Sequence, residues 1–327
     1  MIQFLLPEKG SKSVCVTHMK DVDGLICGSL LRYTIDSDSI LANYGNLNEC
    51  LKSISDYYDQ VFICDLGINK STLDEFRRIR EFARIIYIDH HQLESDLIEK
   101  LEKLNVILAR DLRDCAGALT FDLLHRFLPR EAGLLACFAA ISDRLEDGPI
   151  ALKLITQFDR DFVLFETMML TYAIESAEIS IKKKIIYHLS NLNPPHKMVE
   201  VSSLALSYAD KIANLRRELP LVSSRINNVA YVKTKGVSSG TVANILLDVC
   251  NVAVAVCYNL NTEDDIVDLS VRSKKTSTIN LGNETFKLAE RFGGFGGGHL
   301  RASGARIPSA NLMEFIHELS ELVNTKP

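Results

Sequence analysis

Three short apolar runs end in side chains that bind metals. The run at residues 14–17 leads into His18-Met19-Lys20-Asp21-Val22-Asp23-Gly24, the run at 61–64 into Asp65, and the run at 85–88 into Asp89-His90-His91. Together they supply four carboxylates and three imidazoles. One acid after a strand is ordinary, because Asp caps the helix that follows. Carboxylates drawn together are different, since they raise one another's pKa and need cations to stay ionised side by side. Imidazole with carboxylate and no thiolate suits Mn²⁺ or a similar divalent ion better than structural zinc. The acids suffice for two ions joined by a shared carboxylate, an arrangement suited to phosphoryl chemistry. Asp143, closing the apolar helical run Ala139-Ala140-Ile141-Ser142, is a further candidate ligand. Taken alone, an acid at a helix end is ordinarily a surface group.

The elements that must position these groups follow from the hydrophobic pattern. Up to about residue 145, short apolar runs alternate with longer amphipathic ones, which predicts βαβ units and a parallel sheet. Strands are expected at 14–17, 40–42, 61–64, 85–88 and 106–108, with helices at 25–32, 72–84 and 117–127. The strand runs are apolar on both alternations, as strands covered on both faces are. In such a sheet ligands bind beyond the carboxyl ends of the strands, where the acids and histidines fall.

From 158 to 189 the sequence reads as helix and carries Lys182-Lys183-Lys184, expected as a solvated face. Asn193-Pro194-Pro195-His196 breaks it, and a further helix at 204–217 is expected to stop before Pro220. The remainder restarts as β and α, with strands at 229–232, 252–258 and 266–272 and helices at 240–249, 284–292 and 312–323. The expectation is an α/β protein with a parallel-sheet domain over 1–157, a helical connector over 158–219 and a smaller α/β domain over 220–327. The last domain holds a glycine-rich turn, Gly293-Gly294-Phe295-Gly296-Gly297-Gly298-His299, flanked by Arg291 and Arg301. Glycines let backbone N–H groups approach an anion. With Arg272-Ser273-Lys274-Lys275 closing a nearby strand, a phosphate-contacting surface is expected.

Composition sets the outer limits. A chain of 327 residues, 47% hydrophobic and 24% charged, is globular rather than disordered or collagen-like. No run reaches the ~18 apolar residues of a membrane helix. The opening MIQFLLPEKGSKS lacks the pattern of a secretory leader, so secretion is not expected. The eight cysteines form no CxxC pair and lie mostly in apolar runs, which predicts reduced thiols in a cytoplasmic protein. A net charge of -5 argues against coating nucleic acid through net positive charge.

These motifs, in this order, resemble those of the DHH phosphoesterase superfamily, and specifically members with the DHH-associated C-terminal domain, among them RecJ-like exonucleases and nanoRNA and phosphoadenosine phosphatases. Asp21-Val22-Asp23-Gly24 is similar to the first motif, Asp65 to the second, Asp89-His90-His91 to the namesake third and Asp143 to the fourth. Gly297-Gly298-His299-Leu300-Arg301-Ala302-Ser303-Gly304 is similar to the GGHxxA(A/S)G signature, and Val271-Arg272-Ser273 to a substrate-contacting strand. The H-x-x-D-x-D spacing from His18 to Asp23 differs from the H-x-D-x-D of the exonuclease branch and the H-x-x-x-D-x-D of the phosphatase branch.

The resemblance implies that His18, Asp21 and Asp65 hold one ion, and that Asp23, Asp65, His90 and Asp143 hold the other. It implies catalytic roles for His91, orienting the phosphate, and Asp89, bracing the histidines. Arg272, Ser273, Gly297, Gly298, His299 and Arg301 would grip the substrate. The cofactors implied are two divalent ions, Mn²⁺ preferred and Mg²⁺ or Co²⁺ as substitutes. The expected activity is two-metal phosphodiester hydrolysis by an exonuclease on single-stranded DNA or RNA or short oligonucleotides. Competing readings are a phosphatase of 3′-phosphoadenosine 5′-phosphate, a cyclic dinucleotide phosphodiesterase, and a non-catalytic replication-associated scaffold. Expected partners are single-stranded nucleic acid or oligonucleotide ends and no membrane, with a second copy of the chain or a replication or repair protein left open.

Overall fold

The computed structural model describes residues 11–234 and 236–325. The first ten residues, over which no leader was expected, lie outside the described residues. The chain divides into two compact units, Met1–Tyr208 and Ala209–Pro327.

The first unit is built on five strands, β1 (Ser13–His18), β2 (Asp38–Ala42), β3 (Gln60–Cys64), β4 (Arg84–Asp89) and β5 (Ile107–Arg110). They run parallel in the order β2-β1-β3-β4-β5. The helices are α1 (Val22–Ile35), α2 (Leu47–Lys52), α3 (Leu73–Arg80), α4 (Ser95–Lys103), α5 (Ala116–Leu124), α6 (Gly133–Ser142), α7 (Pro149–Ile155), α8 (Arg160–Ser176), α9 (Ile179–Ser190) and α10 (Val199–Val222). Successive strand residues point to opposite faces, so each strand feeds two cores. Cys15, Phe62, Cys64, Ile86 and Ile88 pack with α1, α5, α6, α8 and α9. Val14, Val16, Val61, Ile63, Ile85 and Tyr87 pack with α2, α3 and α4. Burial on both faces is why these runs are continuously apolar. The strand order reverses direction between β1 and β3, and the crevice at their carboxyl ends is where such sheets take ligands.

Much of the helical stretch at 158–219 packs into the first unit. Val163, Leu170, Ala173 and Ile174 of α8 and Ile185, Ile186 and Leu189 of α9 belong to the first unit's core, as do Val201 and Ala205 of α10. The division between the units falls inside α10. That helix also runs past Pro220 rather than stopping before it. Proline so close to a C-terminus forfeits one intrahelical bond in the last turn and leaves the rest intact.

The second unit has a six-stranded mixed sheet in the order β10-β11-β9-β8-β7-β6. Its strands are β6 (Ser224–Ile226), β7 (Val229–Lys233), β8 (Val254–Asn261), β9 (Ile266–Ser273), β10 (Phe295–Gly298) and β11 (Ala302–Pro308). Its helices are α11 (Ser239–Val249), α12 (Leu281–Arg291) and α13 (Leu312–Thr325). β7 and β8 pair in parallel and the other neighbours antiparallel. One sheet face packs on α12 and α13, the other on α11 together with Leu215 and Leu219 of α10. The run expected as a glycine-rich turn contains the edge strand β10, paired with β11 from Phe295–Arg306 to Gly298–Ser303.

Candidate metal centre

Each expected metal ligand stands at or near the end of a strand or helix. Asp21 caps α1, its carboxylate accepting the Gly24 N–H at 3.1 Å. Gly24 brings that helix onto the end of β1, since a Cβ there would lie 2.2 Å from the His18 carbonyl oxygen. Asp23, in the first turn of α1, accepts the N–H groups that open α5, from Ala116 at 2.9 Å and Gly117 at 2.6 Å. Asp65 follows β3 with φ 55°, in the left-handed region, while its N–H still reaches the Ile88 carbonyl at 3.0 Å. That conformation costs a non-glycine residue roughly 1–2 kcal/mol, and Asp is among the few residues that visit it. Asp89 ends β4, with His90 and His91 next, and Asp143 caps the C-terminus of α6.

The six expected metal ligands converge. His18 Nδ1 is 2.8 Å from Asp21 Oδ2 and 3.5 Å from Asp65 Oδ2. His90 Nε2 is 3.3 Å from Asp143 Oδ2, 3.5 Å from Asp65 Oδ1 and 3.8 Å from Asp23 Oδ2. Asp65 therefore turns one oxygen to each histidine. The ligand atoms of His18, Asp21 and Asp65 lie within 4.8 Å of one another, as do those of Asp23, His90 and Asp143. Asp65, Asp89, His90 and His91 form a further such group.

The electrostatics of this cluster fit cations. Asp65 is 2% exposed, and its Oδ2 has no hydrogen-bond partner although it is buried. Burial first, then the neighbouring acids, pushes Asp23 up to about 8 and Asp143 up to about 7, and holds Asp65 well above the usual carboxylate range. Burial acts the same way on Asp21, but the His18 partner outweighs it and holds that carboxyl low. Burial opposes charge on His18, yet Asp21 and Asp65 push its pKa up to about 10. A cluster with these shifts holds protons where divalent ions would otherwise sit.

Around it lies a supporting set in which Tyr44, Tyr87 and Arg110 join the expected pair Asp89 and His91. Asp89 Oδ1 bonds His91 Nδ1 at 2.7 Å, while Asp89 Oδ2 accepts the Tyr87 hydroxyl at 2.6 Å. The Asp89 bond, against the burial that opposes it, pushes His91 up to about 9. The Arg110 guanidinium donates to the His91 carbonyl. The Tyr44 hydroxyl meets His91 Nε2 at 3.2 Å. Tyr87 was legible in principle, because two positions along a strand face the same way. Tyr44 and Arg110 come from other strand ends, and nothing local marks them.

Lys182 corrects the reading of 182–184 as one solvated face. It is 6% exposed, and its Nζ donates to the Met19 carbonyl at 2.8 Å, inside the segment between His18 and Asp21. Burial lowers its pKa. Lys183 and Lys184 are exposed as expected.

The expected substrate residues group within the second unit. Arg272 and Ser273 end β9, Gly297 and Gly298 end β10, and His299 and Arg301 lie in the turn to β11. Arg272 donates to the Val271 carbonyl at 3.0 Å, and its guanidinium packs so near α11 that a Cβ on Gly240 would lie 2.5 Å from it. Ser273 is buried, with a hydroxyl that has no hydrogen-bond partner. His299 and Arg301 are exposed. Gly298 has φ 145°, and a Cβ there would lie 2.5 Å from the Ala302 carbonyl oxygen, so the position requires glycine. The start of α12 pins the turn, Leu281 and Gly282 donating to the carbonyls of Leu300 and His299 at 3.0 Å each. Arg291 pairs with Glu318 at 2.7 Å.

Comparison with known proteins bears on both units. The DHHA1 domain model matches residues 227–325. An uncharacterized protein of Methanocaldococcus jannaschii is 33% identical over 114 residues, 34% of this chain and 25% of its own length, so the match spans about a quarter of that relative. Among solved structures, the DHH domain of a member of the s1p family of ribosomal proteins aligns with a TM-score of 0.73 at 14% identity, over 96% of this chain and 87% of its own. The exonuclease RecJ bound to manganese aligns with a TM-score of 0.61 at 17% identity, over 100% of this chain and 93% of its own. The pGpG-specific phosphodiesterase PggH of Vibrio cholerae aligns with a TM-score of 0.60 at 13% identity, over 97% of this chain and 100% of its own. At these identities the structures share the fold. Residues 227–325 therefore match a DHHA1 domain, and the chain shares its fold with these DHH-domain, exonuclease and phosphodiesterase structures.

Proposed function

We propose that the protein is a divalent-metal-dependent phosphodiesterase, an exonuclease that hydrolyses single-stranded DNA or RNA or short oligonucleotides, with Mn²⁺ as the preferred ion. The observation that carries this reading is Asp65, buried and left-handed, with an oxygen turned to each of two histidine-carboxylate groups. His18, Asp21 and Asp65 would hold one ion, and Asp23, Asp65, His90 and Asp143 the other. When bound, a pair of divalent ions lowers the pKa of water and withdraws charge from phosphoryl oxygens. The chain's own residues position the rest. Asp89 fixes His91, which orients the phosphate, and the N-terminus of α5 fixes Asp23. Arg272, Ser273, Gly297, Gly298, His299 and Arg301 would bind the substrate. The net charge of -5 fits a short or end-bound substrate better than a long coated one, because affinity from phosphate neutralisation grows with the number of contacts. The eight free thiols fit a cytoplasmic protein.

A second reading, a phosphodiesterase of dinucleotides, is favoured by the alignment with PggH along that protein's whole length. The scaffold reading is disfavoured because every expected ligand position carries a competent side chain. Strands of DNA and RNA labelled at either end, dinucleotides and 3′-phosphoadenosine 5′-phosphate, each incubated with Mn²⁺, separate these possibilities. Mononucleotide release from the strands, stopped by a chelator, is expected. Strands left intact with Mn²⁺, Mg²⁺ and Co²⁺ alike contradict the exonuclease reading.

A further inference from the structure

Both nitrogens of His91 are engaged. Nδ1 bonds Asp89 at 2.7 Å and Nε2 meets the Tyr44 hydroxyl at 3.2 Å. Tyr44 is 56% exposed, yet it is not loosely held. Its turn is closed by reciprocal asparagine bonds, with Asn43 N–H to Asn46 Oδ1 at 2.7 Å and Asn46 N–H to Asn43 Oδ1 at 3.2 Å. Its ring lies 5.3 Å from that of His18 and 6.2 Å, edge-on, from that of His91. Gly67 lies beside both rings, a Cβ there making ordinary contact with Tyr44 Cε1 at 3.5 Å and His91 Cβ at 3.8 Å.

Two donors this close, with Nδ1 already committed to a carboxylate, can turn together onto one acceptor. A hydroxyl rotates to suit its partner, and a phosphoryl oxygen offers several lone pairs. An oxygen that takes a hydrogen bond from His91 Nε2 therefore falls within reach of the Tyr44 hydroxyl. We propose that Tyr44 is a substrate-contacting residue, its hydroxyl and His91 Nε2 converging on the same phosphoryl oxygen. In the substrate-free protein the two groups bond each other and keep the pair aligned. The role rests on the phosphodiesterase reading for its substrate class, a nucleotide phosphate. It does not rest on hydrolysis being observed.

The test is calorimetric titration of the Mn²⁺-loaded protein with adenosine 5′-monophosphate, and with adenosine as the ligand lacking phosphate. Tyr44→Phe keeps the ring and removes the hydroxyl. It should weaken the monophosphate roughly tenfold, the size of one hydrogen bond to a charged group, while Mn²⁺ binding stays as in wild type. Tyr57→Phe, a change at an exposed tyrosine beside Lys12, should leave both unchanged. In ¹⁵N-histidine-labelled protein without nucleotide, Tyr44→Phe should move the His91 ring signals. Monophosphate binding that is unchanged or tighter in Tyr44→Phe overturns the proposal, as do unmoved His91 signals. So does a wild type that binds no monophosphate. A wild type that binds the monophosphate but cleaves no oligonucleotide defeats the exonuclease reading and leaves the Tyr44 contact standing. Oligonucleotide cleavage at an unchanged KM in Tyr44→Phe defeats the contact alone.

Discussion

The carboxylate of Asp23 accepts the backbone N–H of Gly117 at 2.6 Å across 94 positions of sequence. That bond joins the first acidic motif to the helix after the last parallel strand, and it explains why residue 117 is glycine. A Cβ there would lie 2.6 Å from the Ala139 Cβ and 2.9 Å from Asp23 Oδ1. Gly117→Ala is expected to lower stability by about 1–3 kcal/mol through overpacking, and to weaken Mn²⁺ binding by shifting Asp23. Thermal unfolding and a Mn²⁺ titration check it, and a variant that matches wild type in both contradicts the account.

Asp65 gives a stability effect opposite in sign to its effect on activity. Its folded form bears a left-handed backbone and a buried carboxylate among like charges. Asp65→Asn tolerates the same backbone and removes the charge. At alkaline pH, where the Asp65 carboxyl gives up its proton, the metal-free variant is expected to melt above metal-free wild type, while activity falls by more than about 100-fold, beyond what a lost supporting residue costs. A lower melting temperature in the metal-free variant would count against the strain argument.

The pH dependence of the metal-free protein follows from groups that hold protons more tightly when folded. Asp143 is raised to about 7, Asp23 to about 8, His91 to about 9 and His18 to about 10. Each adds stability that is full below its unfolded pKa and lost as pH rises through the folded value. The metal-free melting temperature should therefore fall between about pH 5 and 9. Divalent ions require deprotonated ligands, so the stabilisation by Mn²⁺ should grow over the same range. Melting curves with and without Mn²⁺ read both trends, and a Mn²⁺ effect that is flat with pH contradicts the ligand set.

Adjacent lysines should respond unequally. Lys182→Ala strands the Met19 carbonyl and is expected to cost about 1–3 kcal/mol. Lys183→Ala, at an exposed position, should change stability by less than about 0.5 kcal/mol. Equal effects in denaturant unfolding would show that the buried bond is not made.

The parallel sheet was legible because each strand is buried on both faces, and a strand such as Val61-Phe62-Ile63-Cys64 has no other reading once Asp65 ends it. The convergence of the expected ligands was legible for a related reason: most sit at strand ends, where local sequence places them. Distance in sequence hid the rest. Gly117 and Lys182 reach the centre from 94 and 163 positions away, and no periodicity encodes such a partner. β10 was hidden by composition, because Phe295-Gly296-Gly297-Gly298 has the residues of a turn and becomes a strand through pairing with β11. Helical periodicity shows that α8 and α9 have an apolar face but not which core receives it, so their packing into the first unit was not legible.

The central claim, a pair of ions sharing Asp65, is tested most directly by electron paramagnetic resonance of the protein titrated with Mn²⁺. Two ions per chain with the exchange-coupled signal of a carboxylate-bridged pair, lost in Asp65→Asn, is the predicted result. A single uncoupled ion, or a coupled pair that survives Asp65→Asn, contradicts it.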